Sequence, residues 1–90
     1  MIYKSKIGDI DLSKLTRLYP AAVVAMQGEV AEMSLEWMEI NKGKVHLKGY
    51  ILVFDFTPQK EEVKDKIVLD FETKEELILT MTKVAQLFQN

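Results

Sequence analysis

Cysteine is absent from the 90 residues of this chain. Neither a disulfide framework nor a thiolate metal site can therefore form, and the absence fits a reducing compartment. No apolar run approaches the ~18 residues that a membrane-spanning helix needs. The first residues, MIYKSKIGDIDL, also lack the apolar segment of a signal peptide. We predict a cytoplasmic protein that does not bind a membrane.

Groups that carry chemistry are scarce. Histidine occurs once, as His46, and the four glycines are isolated from one another. A lone histidine lacks the partner that acid–base or nucleophilic catalysis needs, and isolated glycines do not form a phosphate-binding loop. The carboxylates that could cluster have no calcium-loop spacing; they are Glu29, Glu32, Glu36, Glu39, Asp55 and Asp70. We predict no catalytic residues, no metal site, no cofactor and no enzymatic activity.

Charge of one sign does not dominate the chain. Twelve basic and 14 acidic residues give a net charge of −2 and a pI near 5.4. A nucleic-acid-binding protein that relies on bulk positive charge is therefore not expected. The apolar fraction of 48% and the charged fraction of 29% are typical of a globular protein. A chain of this length makes one domain, residues 1–90, and buries about 60–65% of its unfolded surface.

The longest patterned stretch is residues 29–57. Two apolar runs flank Asn41-Lys42-Gly43, a sequence that suits a short hairpin loop with Gly43 at positive φ. This interpretation predicts two long antiparallel strands, with Ile40 paired to Lys44 and Glu36 to Lys48. Trp37 then faces Leu47 across the ladder.

A helix is the alternative for residues 20–41. Apolar side chains recur there at helical spacing, namely Val23, Met26, Val30, Met33, Trp37 and Ile40. Pro20 would suit the first turn and Gly43 the end of the helix. The element order would then be β-α-α-β-β-α, which resembles KH-type RNA-binding domains. Leu18-Tyr19-Pro20-Ala21 stands where their Gly-x-x-Gly loop lies, so their function is not implied.

The first part of the chain is predicted to form short secondary-structure elements. Residues 2–7 suit an edge strand, and Gly8-Asp9 a turn. Asp11 can cap a short helical segment that has Leu12, Leu15 and Leu18 on one side. Residues 21–26 follow as a strand, and a three-residue turn ending at Gly28 places Ala25 opposite Glu29.

The last part of the chain is predicted to form a connector, a strand and a helix. Residues 58–65 are polar. Residues 66–72 alternate, with Ile67, Leu69 and Phe71 inward. Thr73-Lys74-Glu75-Glu76 is a capping box, and the helix after it presents an apolar stripe to the core; the stripe is Leu77, Met81, Val84 and Phe88.

These elements predict an α+β fold: an antiparallel meander of four or five strands, a short N-terminal helical segment and a C-terminal helix packed on one face. The other face is too apolar to be left in water; it carries Val24, Val30, Met38, Tyr50, Leu52, Phe54 and Val68. Residues 2–18, a second copy or a ligand must cover it. We predict a non-enzymatic binding or assembly module, homodimeric through that face, with an apolar-ligand-binding or regulatory subunit as the alternative.

Overall fold

The computed structural model describes residues 1–58 and 65–88. Its strands form a two-stranded antiparallel hairpin and a four-stranded antiparallel sheet of order β4-β3-β5-β6. The elements are β1 Ile2–Ser5, β2 Gly8–Asp11, β3 Arg17–Met26, β4 Glu29–Met33, α1 Leu35–Ile40, β5 His46–Asp55, β6 Lys66–Phe71 and α2 Lys74–Leu87. The predicted α+β class, with an antiparallel sheet and a C-terminal helix packed against it, is confirmed.

The two central strands, β3 and β5, pair antiparallel along almost their whole length, with Leu18 opposite Phe54 and Ala22 opposite Tyr50. Alternate positions of β5 are apolar on both faces, because Leu52 and Phe54 pack in the cluster with α2 while Ile51 and Val53 form a second cluster on the other side of the sheet. Pro20 has no backbone N–H to donate, yet it lies within β3. It is tolerated there because β4 ends opposite Ala22, which leaves β3 an edge strand at Pro20.

The main core lies on one face of the four-stranded sheet. Leu52, Phe54 and Leu69 of the sheet are almost fully buried against Leu77 and Val84 of α2. Ile10 and Leu12, from the end of the N-terminal hairpin, complete this cluster. Helix α1 covers the neighbouring part of the same face, where its Met38 is buried with Ala22 and Val24.

The predicted hairpin over residues 29–57 is wrong. Strand β4 pairs with β3, and β5 also pairs with β3, so β4 and β5 are not neighbours. Trp37 lies on α1, whose first turn is capped by the Ser34 hydroxyl accepting the Trp37 N–H at 3.0 Å. Serine is one of the residues preferred at the N-cap of a helix. The long helix over residues 20–41 is wrong too, because the helix begins only after β4 has ended at Met33.

The turn between β3 and β4 also differs from the prediction. Its loop has two residues, Gln27 and Gly28, at φ +50° and +82°, and Met26 pairs with Glu29. Positive φ at both positions is the signature of a type I′ hairpin turn. The predicted three-residue loop is therefore wrong by one residue, and Val23 lies opposite Glu32 instead of Ala31.

The N-terminal helical segment is absent from residues 12–18, so this part of the prediction is wrong. The Asp11 carboxylate does accept a hydrogen bond, but from the Ser13 N–H at 3.0 Å, which closes a local turn and starts no helix. Leu18 lies within β3. Gly8-Asp9 begins β2 instead of forming a turn, since the chain reverses at residues 6 and 7.

The C-terminal elements agree with their sequence pattern. Leu69 and Phe71 of β6 are buried, and the Thr73 hydroxyl accepts the Glu76 N–H at 3.2 Å, as a capping box requires. Phe88 is the exception, being 48% exposed just after α2 ends. Most of the predicted connector, residues 59–64, lies outside the described residues. No helix in the described part of the chain is long and apolar enough to cross a membrane.

Candidate functional site

The predicted interaction face is mostly occupied by the chain's own elements. Val24, Met38, Leu52 and Phe54 are buried, and Tyr50 is half-buried. Val30 is 60% exposed and lies apart from them on the opposite side of the sheet, because the two-residue turn shifts the register of β4. The structure therefore does not bring these six residues together on one accessible surface.

The side of the sheet that faces away from both helices forms a second apolar surface. Its buried cluster of Ala21, Ile51 and Val53, with half-buried Tyr19 and Val23, contains residues of β3 and β5 only. The register adds Val68, opposite Val53, and Val30, opposite Ala25. We call the whole set the open face; it consists of Tyr19, Ala21, Val23, Val30, Ile51, Val53 and Val68.

Tyr19 and Lys66 meet across the open face near the end where β3 begins. They stand on β3 and β6, with β5 between them, and the Lys66 ammonium group donates a hydrogen bond to the Tyr19 hydroxyl at 3.0 Å. Arg17 lies against the same ring, 4.9 Å from its centroid. Val53 is the residue opposite Tyr19 in β5. Its burial without a covering helix follows from these side chains lying across it.

The hydrogen bond to Tyr19 also sets the electrostatics of this end of the face. It raises the pKa of Lys66 above its ordinary value, because only the charged ammonium form makes the full donation. The negative charges of Asp55 and Glu32 raise that pKa in the same direction. Glu32 stands opposite Val23 on β4, so its carboxylate belongs to the same side of the sheet as Lys66.

Asp55 is the one buried charged residue in the described part of the chain. Its carboxylate accepts the Thr57 N–H at 2.9 Å. That hydrogen bond is the main reason the pKa of Asp55 is lowered, and the positive charges of Lys66 and Arg17 lower it further. In the sheet register, Asp55 stands opposite Arg17 of β3 on one side and opposite Lys66 of β6 on the other.

Charge is distributed unequally along the open face. Arg17 and Lys66 stand at the end where β3 begins, whereas Glu32 and Asp70 stand towards the other end. All four side chains are exposed. The exposed charges of this apolar strip are therefore basic at one end, where they flank the buried Asp55, and acidic at the other; we call these the basic end and the acidic end.

A groove borders the open face where β6 ends. It has a volume of about 740 Å³, and its lining includes Val23, Gly49 and Ile51. Lys6 and Lys48 also line it, together with acidic side chains; the acidic ones are Asp70, Glu72 and Glu76. A side chain at position 49 would be crowded, because its Cβ would lie 3.2 Å from the Phe71 carbonyl oxygen.

The remaining candidate residues are scattered. His46 is exposed at the start of β5, and Glu36 lies on α1 instead of pairing with Lys48 across a ladder. Glu39 forms an ion pair with Lys74 at 3.1 Å, which lowers the pKa of its carboxyl group. Within residues 1–58 and 65–88, no three histidine or acidic side chains come together in a way that could hold a metal ion.

Comparison of the chain with protein-family models, with curated protein sequences and with solved structures gives no significant match. The open face and the groove are therefore defined by their geometry alone. The sequence pattern of β3 does indicate an apolar surface on each side of the sheet. Tyr19, Ala21 and Val23 alternate with Leu18, Pro20 and Ala22. Which of these two sets lies on the same side as a given residue of β4 depends on the length of the turn at Gln27-Gly28.

Proposed function

We propose that this chain is a small, non-enzymatic assembly module in which two copies associate through the open face. The observation that supports this is the composition of the buried cluster at its centre. Ala21, Ile51 and Val53 have no helix over them in the described part of the chain, and the half-buried Tyr19 and Val23 that pack around them still expose apolar surface. That surface gains free energy when it is removed from water.

The exposed apolar side chains on the same face support the proposal. Val68 is 43% and Val30 is 60% exposed, on either side of the central cluster. Antiparallel sheets ordinarily place polar residues on a solvated face. Valines at these two positions fit a surface that packs against another apolar surface, as in two sheets stacked ~10 Å apart.

The size of the face agrees with a weak but specific dimer. With strands ~4.8 Å apart and a rise of ~3.4 Å per residue, its four strands cover about 500 Å² on each copy. Two copies would then bury about 1,000 Å², which is close to the smallest area of a specific interface. Interfaces at this low end of the size range are typically weak or transient.

Sedimentation equilibrium of the purified chain tests this function. We expect a reversible dimer for the wild type. Val68→Glu should weaken association about thirtyfold, because an unpaired carboxylate would be desolvated in the interface. The matched control is Leu79→Glu, at a position that is 57% exposed on α2, and it should leave the dissociation constant unchanged. A wild-type chain that stays monomeric up to about 1 mM contradicts the proposal.

The groove supports a second candidate, a small-ligand-binding or regulatory subunit. Its volume of about 740 Å³ lies within the ~300–1,000 Å³ of typical ligand sites. The ligand would lie here and not under residues 2–18, since Ile10 and Leu12 of that segment are packed into the core. A fragment that raises the melting temperature and shifts the Gly49 amide resonance would support this candidate. The cytoplasmic location stays a prediction.

A further inference from the structure

We infer that the two copies stack with opposite strand directions, so that the basic end of each open face lies over the acidic end of the other. This arrangement rests on the proposed function, because it specifies how the same face recognises a second copy. Its two-fold axis lies in the plane of the interface and runs perpendicular to the strands. Arg17 and Glu32 then select the partner's orientation.

Charge complementarity is the first argument for this orientation. Arg17 and Lys66 stand at one end of the face and Glu32 and Asp70 towards the other. Rotation about the perpendicular axis places Arg17 of one copy near Glu32 of the other, and the symmetry makes this contact twice. Complementary charges at the margin of an apolar contact fix register and exclude wrong partners.

The competing arrangement brings like charges together. A two-fold axis parallel to the strands would superimpose the basic ends of both copies and, equally, the acidic ends. Because that rotation also reverses the order of the strands, Glu32 on β4 of one copy would lie over Asp70 on β6 of the other, whereas Arg17 would lie over Asp55. Like-charge contacts at an interface disfavour that orientation.

The shapes of the side chains agree with the same choice. Along β3 the large Tyr19 is followed on this face by the small Ala21, and along β5 Ile51 is followed by Val53. The perpendicular axis places Tyr19 of one copy over Ala21 of the other, and Ile51 over Val53. A large residue opposite a small one lets two sheet faces interdigitate.

Two charge reversals, studied separately and mixed, test the arrangement. Arg17 and Glu32 are exposed, so Arg17→Glu and Glu32→Arg should fold, which circular dichroism can verify. Each variant alone would create two like-charge contacts, and we expect its homodimer to dissociate about tenfold more readily. An equimolar mixture restores opposite charges at both contacts, and its heterodimer should match the wild type within about threefold.

The outcomes separate this inference from the proposed function. A wild-type dimer whose Glu32→Arg variant associates normally, or whose mixture fails to recover, overturns the orientation and leaves the assembly module standing. A wild-type chain that remains monomeric overturns both. Weakened homodimers together with a recovered heterodimer support the arrangement, because the parallel axis does not place Arg17 near Glu32.

Discussion

The Lys66 ammonium group donates a hydrogen bond to the Tyr19 hydroxyl, 3.0 Å away, across the strand that separates them. This contact ties an edge strand to β3 without any backbone pairing between the two. It also covers Val53, which is 1% exposed although its side chain belongs to a cluster of sheet residues only. A polar bridge thus protects an apolar residue on a face that has no helix over it in residues 1–58 and 65–88.

Replacing Tyr19 by Phe should lower the pKa of Lys66 towards its ordinary value of 10.5. The phenyl ring keeps the cover over Val53 but offers no oxygen to the ammonium group. An NMR titration of the Lys66 side chain, performed in dilute solution, measures the shift. Tyr3→Phe is the control, since Tyr3 stacks on Phe54 in the main core. An unchanged pKa of Lys66 in Tyr19→Phe would show that the bridge is not formed in solution.

Helix α2 offers two leucines with opposite environments. Leu77 is fully buried, whereas Leu79 is 57% exposed on the same helix. Leu77→Ala should lower the free energy of unfolding by about 2–5 kcal/mol, since it removes core contacts and leaves a cavity. Leu79→Ala should change it by less than about 0.5 kcal/mol.

Urea denaturation of the two variants measures both values. The comparison is well matched, because the same atoms are removed from the same helix and only burial differs. Equal losses of stability at the two positions would mean that α2 docks through a different side from the one described.

The parts of the fold that the sequence predicted are those with strong local signals. The capping box at Thr73 and the alternation of Ile67, Leu69 and Phe71 are short-range patterns, and both are present. The failures depend on competition between partners that are distant in sequence. Residues 46–55 could pair with β4 or with β3, and only packing of the whole sheet decides for β3.

The candidate site was missed for a related reason. Apolar side chains at alternate positions of β5 correctly indicate two apolar faces, but the prediction places Leu52 and Phe54 on the face away from the helix, where the structure has Ile51 and Val53. Since strand side chains alternate, an error of one residue in a turn exchanges the faces of a whole strand. The wrong hairpin at Asn41-Lys42-Gly43 misplaced β5, which pairs with β3 and not with β4. The wrong length of the turn at Gln27-Gly28 exchanged the faces of β3 relative to β4, because glutamine at φ +50° is unusual.

The same turn makes a stabilising substitution predictable. Gln27→Asn should raise the free energy of unfolding by about 0.5 kcal/mol, because asparagine followed by glycine is the preferred pair for a type I′ turn. Gly28→Ala should lower it by about 1–2 kcal/mol, since φ there is +82° and an L-residue is strained in that region. No atom lies within 4 Å of the added Cβ, so the loss would be conformational and not steric.

Thermal unfolding is sensitive enough to see both changes. In a domain of this size 1 kcal/mol corresponds to about 4–8 °C, so the two variants should move the melting temperature in opposite directions. If Gln27→Asn lowers the melting temperature instead, the turn is not of the type I′ class.

Asp55 gives the fold a dependence on acid pH. Its carboxylate accepts the Thr57 N–H at 2.9 Å, which holds its pKa below the ordinary 3.8. A lowered pKa in the folded state means that the contribution to stability is present above pH ~3.8 and is lost as pH falls through the lower folded value. Asp55→Asn should therefore be less stable than the wild type at pH 7, and the difference should shrink in strong acid.

Urea unfolding of wild type and Asp55→Asn between pH 7 and pH ~2 measures this difference. Asparagine keeps an oxygen that can accept the Thr57 N–H, so the comparison isolates the negative charge beside Arg17 and Lys66. Asp9→Asn is the control, because it removes an exposed carboxylate from the N-terminal hairpin and should change stability by less than about 0.5 kcal/mol at pH 7. A gap between wild type and Asp55→Asn that stays constant down to the lowest pH would mean that the charge of Asp55 does not stabilise the folded state, and that its role lies in the hydrogen bond alone.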